Sequence, residues 1–119
     1  MAEAPGREAE EAARRHLEDL GYRTVARNFR AAGGEIDLIS EKDGILCFVE
    51  VKSRRSGDFG LPEEYVDLRK RRRIIRAAKI FSGRKPYRGL RLRFDIVAVR
   101  SDRAGADAIV HLPDAFEEE

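Results

Sequence analysis

The stretch Gly34-Glu35-Ile36-Asp37-Leu38-Ile39-Ser40-Glu41-Lys42-Asp43-Gly44-Ile45-Leu46-Cys47-Phe48-Val49-Glu50-Val51-Lys52 decides the fold. Two apolar runs, residues 34–39 and 45–52, flank Asp43-Gly44, a dipeptide suited to the tight turn of a β-hairpin. If those two residues form the whole turn, Lys42 pairs with Ile45, paired numbers sum to 87 and Asp37 stands opposite Glu50. A four-residue loop over residues 41–44 would set Asp37 opposite Phe48 and still keep it on the face of Glu50. Strand side chains alternate, so Glu50 and Lys52 share a face about 6.6 Å apart, with Val49 and Val51 on the other.

Two carboxylates facing each other across a strand pair repel and destabilise the hairpin. A hard divalent cation, Mg²⁺ or Mn²⁺, relieves that repulsion: it is satisfied with one or two carboxylates and leaves positions for water and phosphate oxygens. Lys52, one strand step beyond, could then hold an attacking water or balance charge developing on phosphate oxygens. That is an arrangement for metal-dependent phosphodiester cleavage. The plainer alternative makes Asp37 a solvated edge residue and Glu50 with Lys52 an ordinary exposed pair. Residues 45–51 hold a single polar side chain, Glu50. A strand that apolar is usually covered on both faces, where an unpaired charge is costly, so Glu50 is a functional candidate. Cys47, in the same run, reads as a small buried hydrophobe.

An Asp followed on the next strand by Glu-x-Lys resembles the PD-(D/E)XK nuclease superfamily, which includes restriction endonucleases and archaeal Holliday-junction resolvases. The chain is closer still to the bacterial YraN-like family. That resemblance runs over residues 6–116 and rests on Gly21-Tyr22, Arg27-Asn28-Phe29-Arg30, Gly34-Glu35-Ile36-Asp37-Leu38-Ile39, Phe48-Val49-Glu50-Val51-Lys52-Ser53-Arg54, Phe59-Gly60, Val66-Asp67 with Lys70, and Arg93-Phe94-Asp95-Ile96-Val97. Two departures stand out: Ala9-Glu10 where the family usually has Gly-Glu, and Ile36 in place of the proline of the superfamily's label. The resemblance implies a restriction-endonuclease-like core, with Asp37 and Glu50 holding Mg²⁺ or Mn²⁺, the Val51 carbonyl as a third ligand, and Lys52 positioning the nucleophile. It also implies a further acidic residue from the first helix, Glu10, as an outer ligand or water-orienting group. On residues alone, Glu10 flanks the apolar stripe Ala9, Ala12, Ala13, His16, Leu17 and Leu20, so it can face the sheet, whereas Glu11 and Glu18 point to solvent. Compensation of the helix dipole is the competing explanation for Glu10.

Charge is uneven although the net is only +2. Between Leu68 and Arg93 lie twelve of the 24 Lys and Arg residues and no acidic one. A block of this kind is an electrostatic footprint for a phosphate backbone; the alternative is a solvated helix face balanced by the acidic first helix and the Glu117-Glu118-Glu119 tail. Arg54, Lys70, Arg71, Arg72, Arg73 and Arg76 are the candidate phosphate contacts, with nucleic acid, DNA foremost, as the partner. A binding module without catalysis and a basic protein-interaction domain are the rival functions, and the reading leaves room for a homodimer.

The 119 residues, 42% hydrophobic, suit one domain with flexible ends. No run approaches the roughly 20 apolar residues that span a bilayer, and the amino terminus lacks a signal-peptide pattern, so a soluble cytoplasmic protein is expected. One Cys and two distant histidines, His16 and His111, argue against an internal disulfide or a zinc site. The pattern predicts a helix over residues 8–20, a strand over 23–29, the hairpin over 34–52 and a loop over 53–62. A helix capped by Asp67 follows, running to Ser82 and stopped at Gly83, with Ile74, Ala78 and Phe81 buried; a turn-rich connection covers 84–89, and strands cover 90–98 and 109–112. The fold class is therefore α/β, a mixed central β-sheet flanked by α-helices.

Overall fold

The computed structural model describes residues 5–55, 66–101 and 107–117. The elements run α1 (Pro5–Asp19), β1 (Arg23–Ala31), β2 (Gly34–Lys42), β3 (Ile45–Arg55), α2 (Leu68–Ser82), β4 (Arg91–Ser101) and β5 (Asp107–Phe116), with a short 3-10 turn at Lys85–Tyr87 before β4. The five strands form one sheet in chain order. β3 and β4 are parallel and every other neighbouring pair is antiparallel. The mixed α/β sheet expected from the sequence is the observed one. A parallel pair requires a crossover, and α2 lies within that connection.

The β2–β3 register is the one the two-residue turn requires: Lys42 pairs with Ile45 and Leu38 with Val49. Asp43 and Gly44 both take positive φ, 53° and 77°, as a turn of this twist demands. A second two-residue turn, Ala32-Gly33, joins β1 to β2 and brings Ala31 opposite Gly34.

Each helix buries one stripe. α1 sets Ala9, Ala13 and Leu17 against Leu38, Cys47, Val49, Val97 and Val99. α2 sets Ile74, Ala77, Ala78 and Phe81 against Ile36, Ile39, Leu46, Phe48, Phe94, Ile96 and Ala98. Asp67 caps α2 as expected: its side chain accepts from the Lys70 N–H at 2.8 Å. Gly83 ends the helix in a right-handed conformation, φ −72°, so its conformational freedom is not what stops it. Several boundaries differ from expectation: α1 begins at Pro5, β3 continues through Arg55 where a loop was expected, and β5 spans ten residues. The rest of the expected loop lies outside the described residues. Leu20, placed in the α1 stripe by periodicity, lies past the helix and is exposed.

β4 sits between β3 and β5 with a helix over each face, so residues 94–99 are buried without alternation. The alternation of β2 breaks at Asp37. Ile36 belongs to the cluster under α2, Leu38 to the one under α1 and Ile39 again to the one under α2. The β1 register would set Asn28 across from Asp37, and Asn28 takes the left-handed conformation, φ 49°. Asn tolerates that conformation better than most residues. The two strands are thus irregular together, at the position of the candidate ligand.

Candidate active site

Asp37 and Glu50 line one cavity of about 260 Å³ together with Gly33, Gly34, Glu35, Lys70, Arg73 and Ile74. β2 supplies Asp37 at its irregularity and β3 supplies Glu50 and Lys52, while the first two turns of α2 supply Lys70 and Arg73. Glu50 is only 5% exposed. The Lys52 ammonium lies 3.6 Å from Glu50 Oε1 and the Lys70 ammonium 2.6 Å from the same oxygen. Asp37 Oδ2 accepts a hydrogen bond from the Val51 N–H at 2.8 Å. Burial, and then the Glu50 carboxylate, push the Asp37 carboxyl up to about 7; the Val51 bond and Lys70 pull the other way, and Glu10 adds a smaller repulsion. Lys70 is held above its ordinary value: burial opposes its charge, but the bond to Glu50 outweighs it.

Glu10 stands on the α1 side, where Asn28 Nδ2 donates to its Oε1 at 3.1 Å and Arg7, Glu11, Arg27 and Leu38 complete a second hollow. Glu11 does not simply point to solvent as expected, for it bonds Arg14 and pairs with Arg27 at 3.3 Å. Among the described residues, no group of three or more Asp, Glu, His or Cys side chains is gathered closely enough to hold an ion by itself. Two side-chain carboxylates, with the remaining positions left to backbone, water and substrate, suit Mg²⁺ better than a cation that needs an all-protein cage. The raised Asp37 carboxyl fits the same picture, since a cation beside it would favour its charged form.

The basic run divides into different environments. Arg72 and Arg76 are exposed on α2. Lys70 is engaged by Glu50; its spacing of four residues before the buried Ile74 puts it on the helix face turned to the sheet. Arg71 donates to the Val66 carbonyl at 2.7 Å and lies over the Phe116 ring. Among the described residues Arg73 Nε is buried with no hydrogen-bond partner, which costs roughly 1–3 kcal/mol when nothing replaces water. Arg93, counted in the basic block, is half-buried in a separate network and is not part of an exposed footprint. Its Nε donates to Asp95 Oδ1 at 2.9 Å, and Nη2 donates to Asp95 Oδ2 at 2.8 Å and to the Tyr22 hydroxyl at 2.7 Å. The side chain of Arg54 lies outside the described residues. Cys47 is buried as expected, and burial followed by the Asp95 charge pushes its thiol up to about 12.

Residues 9–99 match the model of a family described as "Uncharacterised protein family UPF0102". The chain belongs to the UPF0102 family. A UPF0102 protein of Persephonella marina is 38% identical over 112 residues, covering 94% of this chain and 92% of its own length. One from Chloroherpeton thalassium is 39% identical over 118 residues, covering 93% and 92%, and one from Moorella thermoacetica is 43% identical over 108 residues, covering 87% and 90%. The segment matched to the UPF0102 model carries Glu10, Asp37, Glu50, Lys52, Lys70 and Arg73, and ends before His111. Among the described residues no helix is long and apolar enough to cross a membrane.

Proposed function

We propose that this UPF0102 protein is a divalent-metal-dependent nuclease that hydrolyses phosphodiester bonds in nucleic acid, with DNA as the first candidate substrate. The observation that carries the reading is the pairing of Asp37 and Glu50 on one cavity, at the point where β2 loses its alternation, with Lys52 3.6 Å from Glu50 Oε1. A binding surface for phosphate has no use for two carboxylates held against their mutual repulsion. Asp37 and Glu50, joined by the Val51 carbonyl, would hold Mg²⁺ or Mn²⁺, which would supply Lewis acidity toward the phosphate and a more acidic water. Glu50 is held between the ammonium groups of Lys70 and Lys52. Lys52 orients the attacking water and steadies negative charge on the phosphate oxygens as the P–O bond breaks. Glu10, held by Asn28, orients water from the α1 side. Exposed Arg72 and Arg76 contribute attraction to the backbone that is independent of sequence.

The test is purified protein with Mg²⁺ or Mn²⁺ on duplex, single-stranded, flapped and four-way-junction DNA and on RNA. Cleavage that disappears with EDTA and in Lys52→Ala is expected. Salt-dependent binding without cleavage of any substrate would contradict it and favour a nucleic-acid-binding module, the alternative supported by the exposed arginines of α2.

A further inference from the structure

Among the described residues, the one buried side-chain nitrogen or oxygen without a hydrogen-bond partner is Arg73 Nε. Arg73 follows Lys70 by one helical turn, and both side chains line the cavity with Asp37 and Glu50. Lys70 already has an acceptor there, Glu50 Oε1 at 2.6 Å. Arg73 has a buried donor still to be satisfied. Its backbone is fixed at the cavity wall: a Cβ on Gly34 would fall 2.3 Å from the Arg73 carbonyl oxygen, so the β1–β2 turn and α2 meet with no side chain between them. Gly33, Gly34 and Glu35 line both this cavity and an adjoining one of about 430 Å³ that includes Arg30 and Ala31. The two form a groove along the turn. Glu35 within it is paired with Arg30 at 3.3 Å.

We infer that Arg73 grips a phosphate of the substrate strand in this groove, its Nε–Nη edge turning toward two non-bridging oxygens beside Asp37 and Glu50. That the anion belongs to a substrate rests on the phosphodiester reading; the anion site itself does not. A guanidinium offers a planar fork matched to phosphate, whereas the Lys70 ammonium is a point charge committed to Glu50. Satisfying the buried Nε–H also removes a deficit that the free protein carries, which favours the bound arrangement.

The experiment follows arginine Nε–H signals by nuclear magnetic resonance in metal-free buffer, adding inorganic phosphate and then a 5′-phosphorylated oligothymidylate. The Arg73 signal is assigned by its loss in Arg73→Lys. It should move and saturate with both probes, more than the signals of Arg72 and Arg76. Arg73→Lys keeps the charge and loses the fork, so its oligonucleotide affinity should fall about 10-fold, with a melting temperature unchanged or raised. Arg15→Lys, at an exposed position on α1, should change affinity by less than about twofold. A purely structural Arg73 would give a lower melting temperature and unchanged affinity. An Arg73 signal that ignores both probes, or an Arg73→Lys protein that binds like the wild type, overturns the inference. Cleavage by a protein whose Arg73 is silent overturns it alone; a responsive Arg73 in a protein that cuts nothing upholds the anion site and removes the nuclease reading.

Discussion

Two aspartates in this sheet, one half-buried and one fully buried, have opposite fates. Asp95, fully buried on β4, accepts from Arg93 Nε and Nη2, from the Asp114 N–H at 3.0 Å, and contacts His111 Nε2 at 2.8 Å. Burial opposes its charge, yet His111, Arg93 and the Asp114 amide hold its carboxyl below the ordinary range. Asp37, on β2, accepts from the Val51 N–H, shares its cavity with a second carboxylate, and is pushed up to about 7. Burial is therefore not what separates them; the number and sign of their partners is. A carboxylate with its lone pairs filled is held for the fold. A carboxylate kept short of partners beside another leaves room for a ligand.

The largest effect expected is on the satisfied side. Asp95→Ala leaves the half-buried Arg93 guanidinium without its fully buried carboxylate and should cost ~3–5 kcal/mol in denaturant unfolding. A loss below about 1 kcal/mol would mean that the network does not hold β4 and β5 together. On the other side, Lys52→Ala should lower the cleavage rate by ~10²–10³-fold while leaving metal-supported binding nearly intact, because it removes stabilisation specific to the transition state. Equal losses in rate and affinity would make Lys52 a binding group.

Asp37→Asn should stabilise the metal-free protein, with a sign set by linkage. The folded carboxyl titrates near 7 against an ordinary 3.8, so the native state retains a proton that the unfolded state has lost. The wild type loses stability as pH rises from about 4 to 7, and the full penalty is present above 7. The Asn variant lacks that penalty and should gain ~2 kcal/mol at pH 8 and almost nothing at pH 4, below the ceiling of roughly 4 kcal/mol set by ~1.4 kcal/mol per unit. Urea unfolding at both pH values checks it, and a gain that ignores pH would remove the repulsion from the account. The smallest effect is Arg72→Gln. An exposed phosphate contact should reduce the slope of log affinity against log salt by about 0.9 for duplex DNA, measured by a salt titration.

The hairpin register was legible because Asp43-Gly44 sits between two strand-like runs, and because Asp43 and Gly44 accept the positive φ their turn needs. The Asp67 cap and the α2 stripe were legible on the same local grounds. The irregularity at Asp37 was not, since it depends on Asn28 adopting a left-handed conformation in a neighbouring strand, and no local pattern around Asn28 demands that. Arg93 and Asp95 alternate with apolar residues and so resemble a polar face. Only the arrival of Tyr22 and His111, distant in sequence, turns them inward. Lys70 illustrates a partial reading. Helical phase places it above the sheet with Ile74, but its commitment to Glu50 depends on how α2 is seated over β3.

If Asp37 and Glu50 are held together to share a cation, binding that cation must expel the Asp37 proton. The ¹³C carboxyl signal of Asp37, followed against pH with and without saturating Mg²⁺, tests it most directly. Without metal the midpoint should lie near 7, and Mg²⁺ should shift it down by more than one unit as binding expels the proton. A midpoint near 4 that Mg²⁺ leaves unmoved would contradict both the repulsion between the carboxylates and the metal site built on it.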